Sequence, residues 1–179
     1  MNKEWNAVEI LRHSRHDWLN KLQLIKGNLA LNRFDRVHEI IEEIIMETKN
    51  DTKLTNLKAS QLAGQLMVFN WRNYNFLIDY EIVGEERDLS EYDNELSRWC
   101  RDFFHTLNEA VKPYAENNLS ISIQTSNEEV RFFFDFSGII KDENSVLHFL
   151  KSHSDGNYPS LNIVDYEVHN DAMIVTLQI

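Results

Sequence analysis

Leu11, Arg15, Trp18, Leu22, Ile25 and Leu29 recur at alternating steps of four and three. An α-helix brings residues so spaced onto one stripe, and the pattern is that of a coiled-coil seam with one polar member. The stretch Asn32-Arg33-Phe34-Asp35 interrupts it, with Asn32 suited to close one helix and Asp35 to cap the next. Val37, Ile40, Ile41, Ile44 and Ile45 resume an apolar stripe, while Glu39, Glu42, Glu43 and Glu47 face away from it. So short a connection makes the two helices an antiparallel hairpin. Two helices cannot enclose a seam this apolar by themselves. The spacing therefore predicts a homodimer in which two hairpins form a four-helix bundle, with packing on the rest of the same chain as the alternative.

Residues 50–56, Asn-Asp-Thr-Lys-Leu-Thr-Asn, read as a polar linker, which divides the chain into a hairpin domain at 1–50 and a second domain at 57–179. In the second domain Leu57 to Arg72 reads as helix, Phe76 to Val83 as strand, and Leu89 to Ala115 as a long helical tract. Short alternating segments follow at Leu119–Gln124 and Val130–Phe136, with a helix over Asp142–Lys151. The chain closes on a hairpin, Ile163–His169 and Ala172–Ile179, turning at Asn170-Asp171. Helices mixed with mainly antiparallel strands predict an α+β fold, one sheet covered on one face by helices.

Charge and composition narrow the function. Among 179 residues, 18 Lys and Arg stand against 29 Asp and Glu, a net charge of −11 that disfavours nucleic acid and anionic lipid as partners. The single cysteine, Cys100, excludes an internal disulfide and a thiolate metal cluster. No apolar run is long enough to span a bilayer and the start does not read as a signal peptide, so a soluble, cytoplasmic protein is expected. With five glycines in the chain, no glycine-rich phosphate loop is present. The charge is also lopsided: residues 1–36 carry seven Lys and Arg against four acids, a net of +3, and the remainder carries −14. A basic helix on an acidic chain suits an acidic protein partner or a phosphoryl group.

At 100° per residue, His16, Asn20, Gln23 and Gly27 stack on the side of the first helix opposite the seam. This is a water-facing strip with an imidazole in it, flanked by His13 and Leu24, and Gly27 removes bulk where a large partner could approach. Imidazole titrates at about 6.5, so a neutral nucleophilic form is available at neutral pH.

The segment Arg15-His16-Asp17-Trp18-Leu19-Asn20-Lys21-Leu22-Gln23 resembles the phosphoacceptor motif RHDxxNxLQ. That motif belongs to one branch of bacterial sensor histidine kinases and to the sporulation initiation phosphotransferase B family. The run from His13 through Leu29, the Arg36-Val37 pair and Lys53-Leu54-Thr55-Asn56-Leu57-Lys58 extend the resemblance to the latter family over essentially the whole chain. It implies a phosphorelay phosphotransferase in which His16 accepts a phosphoryl group from the aspartate of a single-domain response regulator. His16 then passes it to the receiver of a response-regulator transcription factor that starts sporulation. It implies no cofactor on this chain, Mg²⁺ being supplied by the receiver. In that setting Arg15 or Lys21 offsets phosphoryl charge, and Asp17 acts electrostatically or touches the partner. Asn20 holds the ring or donates to a phosphoryl oxygen, Gln23 lies along the strip, and Leu24 and Gly27 are apolar contacts.

The second domain resembles a degenerate histidine-kinase ATPase domain. Asn108-Glu109-Ala110-Val111-Lys112 is similar to the Mg²⁺-binding helix of such domains, but His105 and Glu109 stand at its two asparagine positions. Asp135-Phe136-Ser137-Gly138 is similar to the aspartate motif with too few glycines, and Gly156-Asn157-Tyr158-Pro159-Ser160-Leu161 stands where a glycine loop would be. A carboxylate at Glu109 repels phosphate, so ATP binding is not expected. Two alternatives remain: a sensor-type histidine kinase core with residual ATP use, and a non-catalytic receiver-binding adaptor. Among weaker candidates, His148 and His153 lack acidic or thiol partners for a metal, Phe132-Phe133-Phe134 reads as strand, and Cys100 reads as a core thiol.

Overall fold

The computed structural model describes residues 6–152 and 158–179, in two compact units, Met1–Asp51 and Thr52–Ile179. His153, Gly156 and Asn157 lie outside the described residues.

Helix α1 spans Ala7–Ala30 in the first unit, and helix α2, Phe34–Asn56, begins in that unit and ends past its last residue, Asp51. Asn6 caps α1, its side-chain oxygen accepting from the Glu9 amide at 3.0 Å. The turn is a Schellman closure. Asn32 adopts φ 55°, its N–H bonds the Leu29 carbonyl at 3.0 Å, and the Arg33 N–H bonds the Asn28 carbonyl at 2.9 Å. Asparagine suits this left-handed site because its short polar side chain tolerates positive φ. Asp35 is not the N-cap: α2 begins one residue earlier, and Asp35 lies in its first turn, where its charge complements the amide end of the helix.

The polar tract 50–56 is also not a linker. α2 runs through it to Asn56, because a polar stretch without glycine or proline keeps helical geometry wherever its apolar members find a surface. Leu54, its apolar member, does so in the core of the second unit, where Leu57, just past the helix end, is buried as well.

In the second unit the expected helix over 57–72 is shorter, α3 being Ser60–Met67 followed by a 3₁₀ turn at Phe69–Trp71. Strand β1 (Leu77–Gly84) leads to helix α4 (Asp93–Ala110). α4 stops short of the expected Ala115 because Val111 leaves the helix to bridge Ile140 and Pro113 cannot continue it. Strands β2 (Asn118–Thr125) and β3 (Val130–Ser137), helix α5 (Glu143–Ser152), and strands β4 (Asn162–Val168) and β5 (Ala172–Gln178) complete the unit. The sheet order is β1-β2-β3-β5-β4, parallel between β1 and β2 and antiparallel elsewhere.

Period-two burial places Ile121, Phe132, Phe134, Phe136, Val175 and Leu177 in the core, with Phe133 and the acids Asp79, Glu81 and Asp135 on the other face. α4 closes the core with Leu96, Trp99, Cys100, Phe103, Phe104 and Leu107, spaced for one helix face. Trp99 stacks on Phe103 at 4.9 Å between ring centroids, and Phe103 meets Phe134 edge-on at 5.3 Å. Asn117 is buried and fully bonded: its amide donates to the carbonyls of Asn75 (2.8 Å) and Lys112 (2.9 Å) and its oxygen accepts from the Ile139 amide (2.9 Å). Gly138 is required beside it, since a Cβ there would stand 2.4 Å from Asn117 Oδ1.

Candidate functional site

Three directions around α1 have different fates. Ile10, Ser14, Asp17, Lys21, Ile25 and Asn28 are half-buried, and this side faces α2, to which Lys21 donates a hydrogen bond at Glu47. About a quarter turn away, Leu11, Trp18, Leu22 and Leu29 of the seam remain exposed within this chain. Ile41, Ile45 and Met46 of α2 are exposed large apolar residues as well. On the third side lies the strip of His16, Asn20, Gln23 and Gly27, all exposed.

The imidazole of His16 is 72% exposed. The side-chain amide of Asn20, one turn further on, lies 3.2 Å from His16 Nδ1, within hydrogen-bond distance, with the direction of the bond set by the imidazole tautomer. The nearer carboxylate oxygen of Asp17 lies 3.7 Å from the same nitrogen, too far for a direct hydrogen bond and close enough for a Coulombic interaction. The Asn20 amide thus holds the Nδ1 edge with the Asp17 charge beside it, and among the described residues none bonds Nε2. The backbone explains the contact: helical side chains tilt toward the N-terminus, so Asn20 leans over His16. A Cβ on Gly27 would meet nothing within 4 Å, so the surface beyond Gln23 is open to an approaching body. Leu24, on the edge of the strip, is 57% exposed.

The remaining named residues are not gathered here. Lys21 points at Glu47 and lies 5.9 Å from the Trp18 ring, away from the imidazole. Arg15 stands about 100° around the helix from His16. One residue that the motif does not mark belongs to the strip: Arg12, four residues before His16, is exposed on the same side and makes no hydrogen bond or ion pair among the described residues. Its i−4 spacing is visible in the sequence.

In the second unit, Asn108 is a structural bridge. Its side-chain oxygen accepts from the Asn75 amide at 2.7 Å, tying α4 to the segment before β1. His105 and Glu109 lie exposed on α4 and face one another at 3.6 Å, so a carboxylate occupies that face of the helix. Among the described residues no three His, Cys, Asp or Glu side chains converge to hold a metal ion, and no helix is long and apolar enough to cross a membrane. Cys100 is fully buried, which pushes its thiol pKa far up and leaves it inert.

Comparison with known proteins covers the whole chain. Residues 1–57 match the family profile described as "Sensor_kinase_SpoOB-type, alpha-helical domain", and residues 58–179 match "Sporulation initiation phospho-transferase B, C-terminal". Sporulation initiation phosphotransferase B of Bacillus subtilis (strain 168) is 38% identical over 172 residues, 95% of this chain and 88% of that protein. Among solved structures, the histidine kinase AdeS of Acinetobacter baumannii superposes with a TM-score of 0.44 at 12% identity, over 92% of this chain and 96% of that one. The blue-light activated histidine kinase of Erythrobacter litoralis EL346 gives 0.45 at 11% identity, over 100% and 61%.

Proposed function

This chain belongs to the sporulation initiation phosphotransferase B family, and on that premise we propose that it relays a phosphoryl group between two response regulators through His16. The observation that carries the reading is the imidazole itself: open to solvent on a rigid helix, in contact at Nδ1 with the Asn20 amide, with the Asp17 carboxylate 3.7 Å away, and clear at Nε2 among the described residues.

The donor is an aspartyl phosphate, a mixed anhydride on a single-domain response regulator. Nε2 attacks phosphorus in line; the N–P bond forms as the acyl O–P bond breaks, and the aspartate carboxylate leaves with the electron pair. The lone pair must be at Nε2 and the proton at Nδ1. The Asp17 carboxylate favours that tautomer, and a half-turn of the Asn20 amide presents its oxygen to an Nδ1–H. The receiver of a sporulation transcription factor then takes the group by the reverse chemistry. Both carriers are energy-rich, so the exchange needs no ATP, and Mg²⁺ comes with the receiver's acidic pocket. This chain contributes position: a fixed nucleophile and a strip with Gln23, Leu24 and Gly27 for the partner to rest on.

The exposed seam supports a homodimer. A soluble chain rarely leaves Leu11, Trp18, Leu22 and Leu29 in one continuous stripe facing water, and pairing two hairpins through it makes the four-helix bundle. With the seam inward, His16 stays on the outside.

The test is incubation of the full chain with a ³²P-labelled phospho-receiver, with and without ATP. The expected result is acid-labile label on the wild type, none on His16→Ala, and no labelling from ATP alone. Label persisting on the folded His16→Ala variant would refute the assignment. Labelling from ATP would revive the kinase core, and capture of the receiver without label would favour the adaptor.

A further inference from the structure

We propose that Arg12 is the phosphoryl-binding residue of the phosphohistidine, an inference that rests on His16 being the phosphoacceptor. Arg12 stands one helical turn before His16 on the same side of α1. The tilt that lays Asn20 over His16, measured in the 3.2 Å contact between them, lays the His16 ring toward the turn that Arg12 occupies. Asn20 and Asp17 take the Nδ1 edge, so a group carried on Nε2 projects on the side away from them.

The other cations of the helix are elsewhere. Lys21 donates to Glu47, Arg15 lies about 100° around the axis, and Lys26 is about 15 Å along it from His16. Arg12 alone of these shares the strip within one turn, and it makes no hydrogen bond or ion pair among the described residues. A phosphoryl group on Nε2 brings about two negative charges to the surface of the helix. The guanidinium fork donates two N–H groups to two phosphoryl oxygens while the N–P bond stays intact, and nothing is oxidised or reduced. Asp17, near Nδ1, repels the same group. Arg12 offsets that repulsion and stabilises the dianionic form.

The probe is the full-length protein phosphorylated with potassium phosphoramidate, which transfers PO₃ to imidazole with loss of ammonia and requires no receiver. The phosphohistidine resonance is followed by ³¹P NMR against pH in wild type, Arg12→Gln, Arg12→Lys and Lys26→Gln. A dianion held by Arg12 titrates at lower pH, so Arg12→Gln should raise the midpoint by about half a pH unit at low salt, the scale of an exposed ion pair. Arg12→Lys should restore most of the shift, Lys26→Gln should leave it unchanged, and 1 M salt should remove it. An Arg12→Gln midpoint equal to wild type, or a Lys26→Gln shift as large, overturns the role of Arg12 while leaving His16 as the acceptor. Absence of label on His16, or equal label on His16→Ala, overturns the acceptor assignment and this inference with it.

Discussion

Leu22 and Leu24 are two residues apart on α1, nearly equal in exposure at 55% and 57%, and about 160° apart around the helix. If the seam is the dimer interface, replacing each with glutamate should have different consequences. Full burial of a leucine side chain contributes about 1.5–3 kcal/mol, so the half of Leu22 still facing water in this chain is worth about 1 kcal/mol per protomer. Truncation by Leu22→Ala removes that from both copies, about 2 kcal/mol, and should weaken the dimer roughly 30-fold. Leu22→Glu further carries two symmetry-related carboxylates into an apolar seam, which costs several kcal/mol and should leave monomers at micromolar concentration. Leu24→Glu faces away from the seam; it should leave the dimer intact and slow transfer from the receiver. Sedimentation equilibrium over a concentration series measures the association, and circular dichroism checks that the helices persist. A monomeric wild type, or equal dissociation of the Leu22→Glu and Leu24→Glu proteins, would show that the stripe is not the interface.

The second domain offers three further tests. The Asp93 carboxylate, 7% exposed, accepts from the backbone amides of Gln61 and Leu62 at 3.0 Å and caps α3 from another helix. Asp93→Ala should therefore cost about 1–3 kcal/mol, read as a fall in thermal midpoint, and Asp93→Asn, which keeps one acceptor, should cost less. Burial and the 2.6 Å hydrogen bond to Asp102 push the Tyr158 phenol up to about 12. Its stabilising contribution is complete below its unfolded pKa of about 10 and is lost as pH rises toward 12, so the stability difference between wild type and Tyr158→Phe should vanish over that interval in urea titrations. Cys100 should react with a thiol reagent only at the rate of unfolding of the second domain; fast reaction in native buffer would contradict its burial.

The hairpin, the sheet and the open strip on α1 can be read from spacing because each depends on local periodicity. The heptad stripe and the left-handed preference of Asn32 place two helices and their turn, and alternation places β1, β2 and β3 to within a residue or two. The errors fall where a distant partner decides. Residues 50–56 look like a linker, yet Leu54 finds the core of the second domain and keeps α2 helical. The tract 89–115 looks continuous, yet Val111 is drawn off to Ile140 and α4 ends there.

For the site, a single repeat of 3.6 residues puts His16, Asn20, Gln23 and Gly27 on one side, and the motif around His16 is what singles it out as the proposed acceptor. That information is contained in the chain, because one helix fixes the angles between its own side chains. What the chain order cannot express is which of the other sides meets α2: the fold turns Lys21 toward Glu47 and leaves Leu11, Trp18, Leu22 and Leu29 of the seam exposed within this chain. Direction is set by packing between segments far apart in sequence, and only the folded hairpin supplies it.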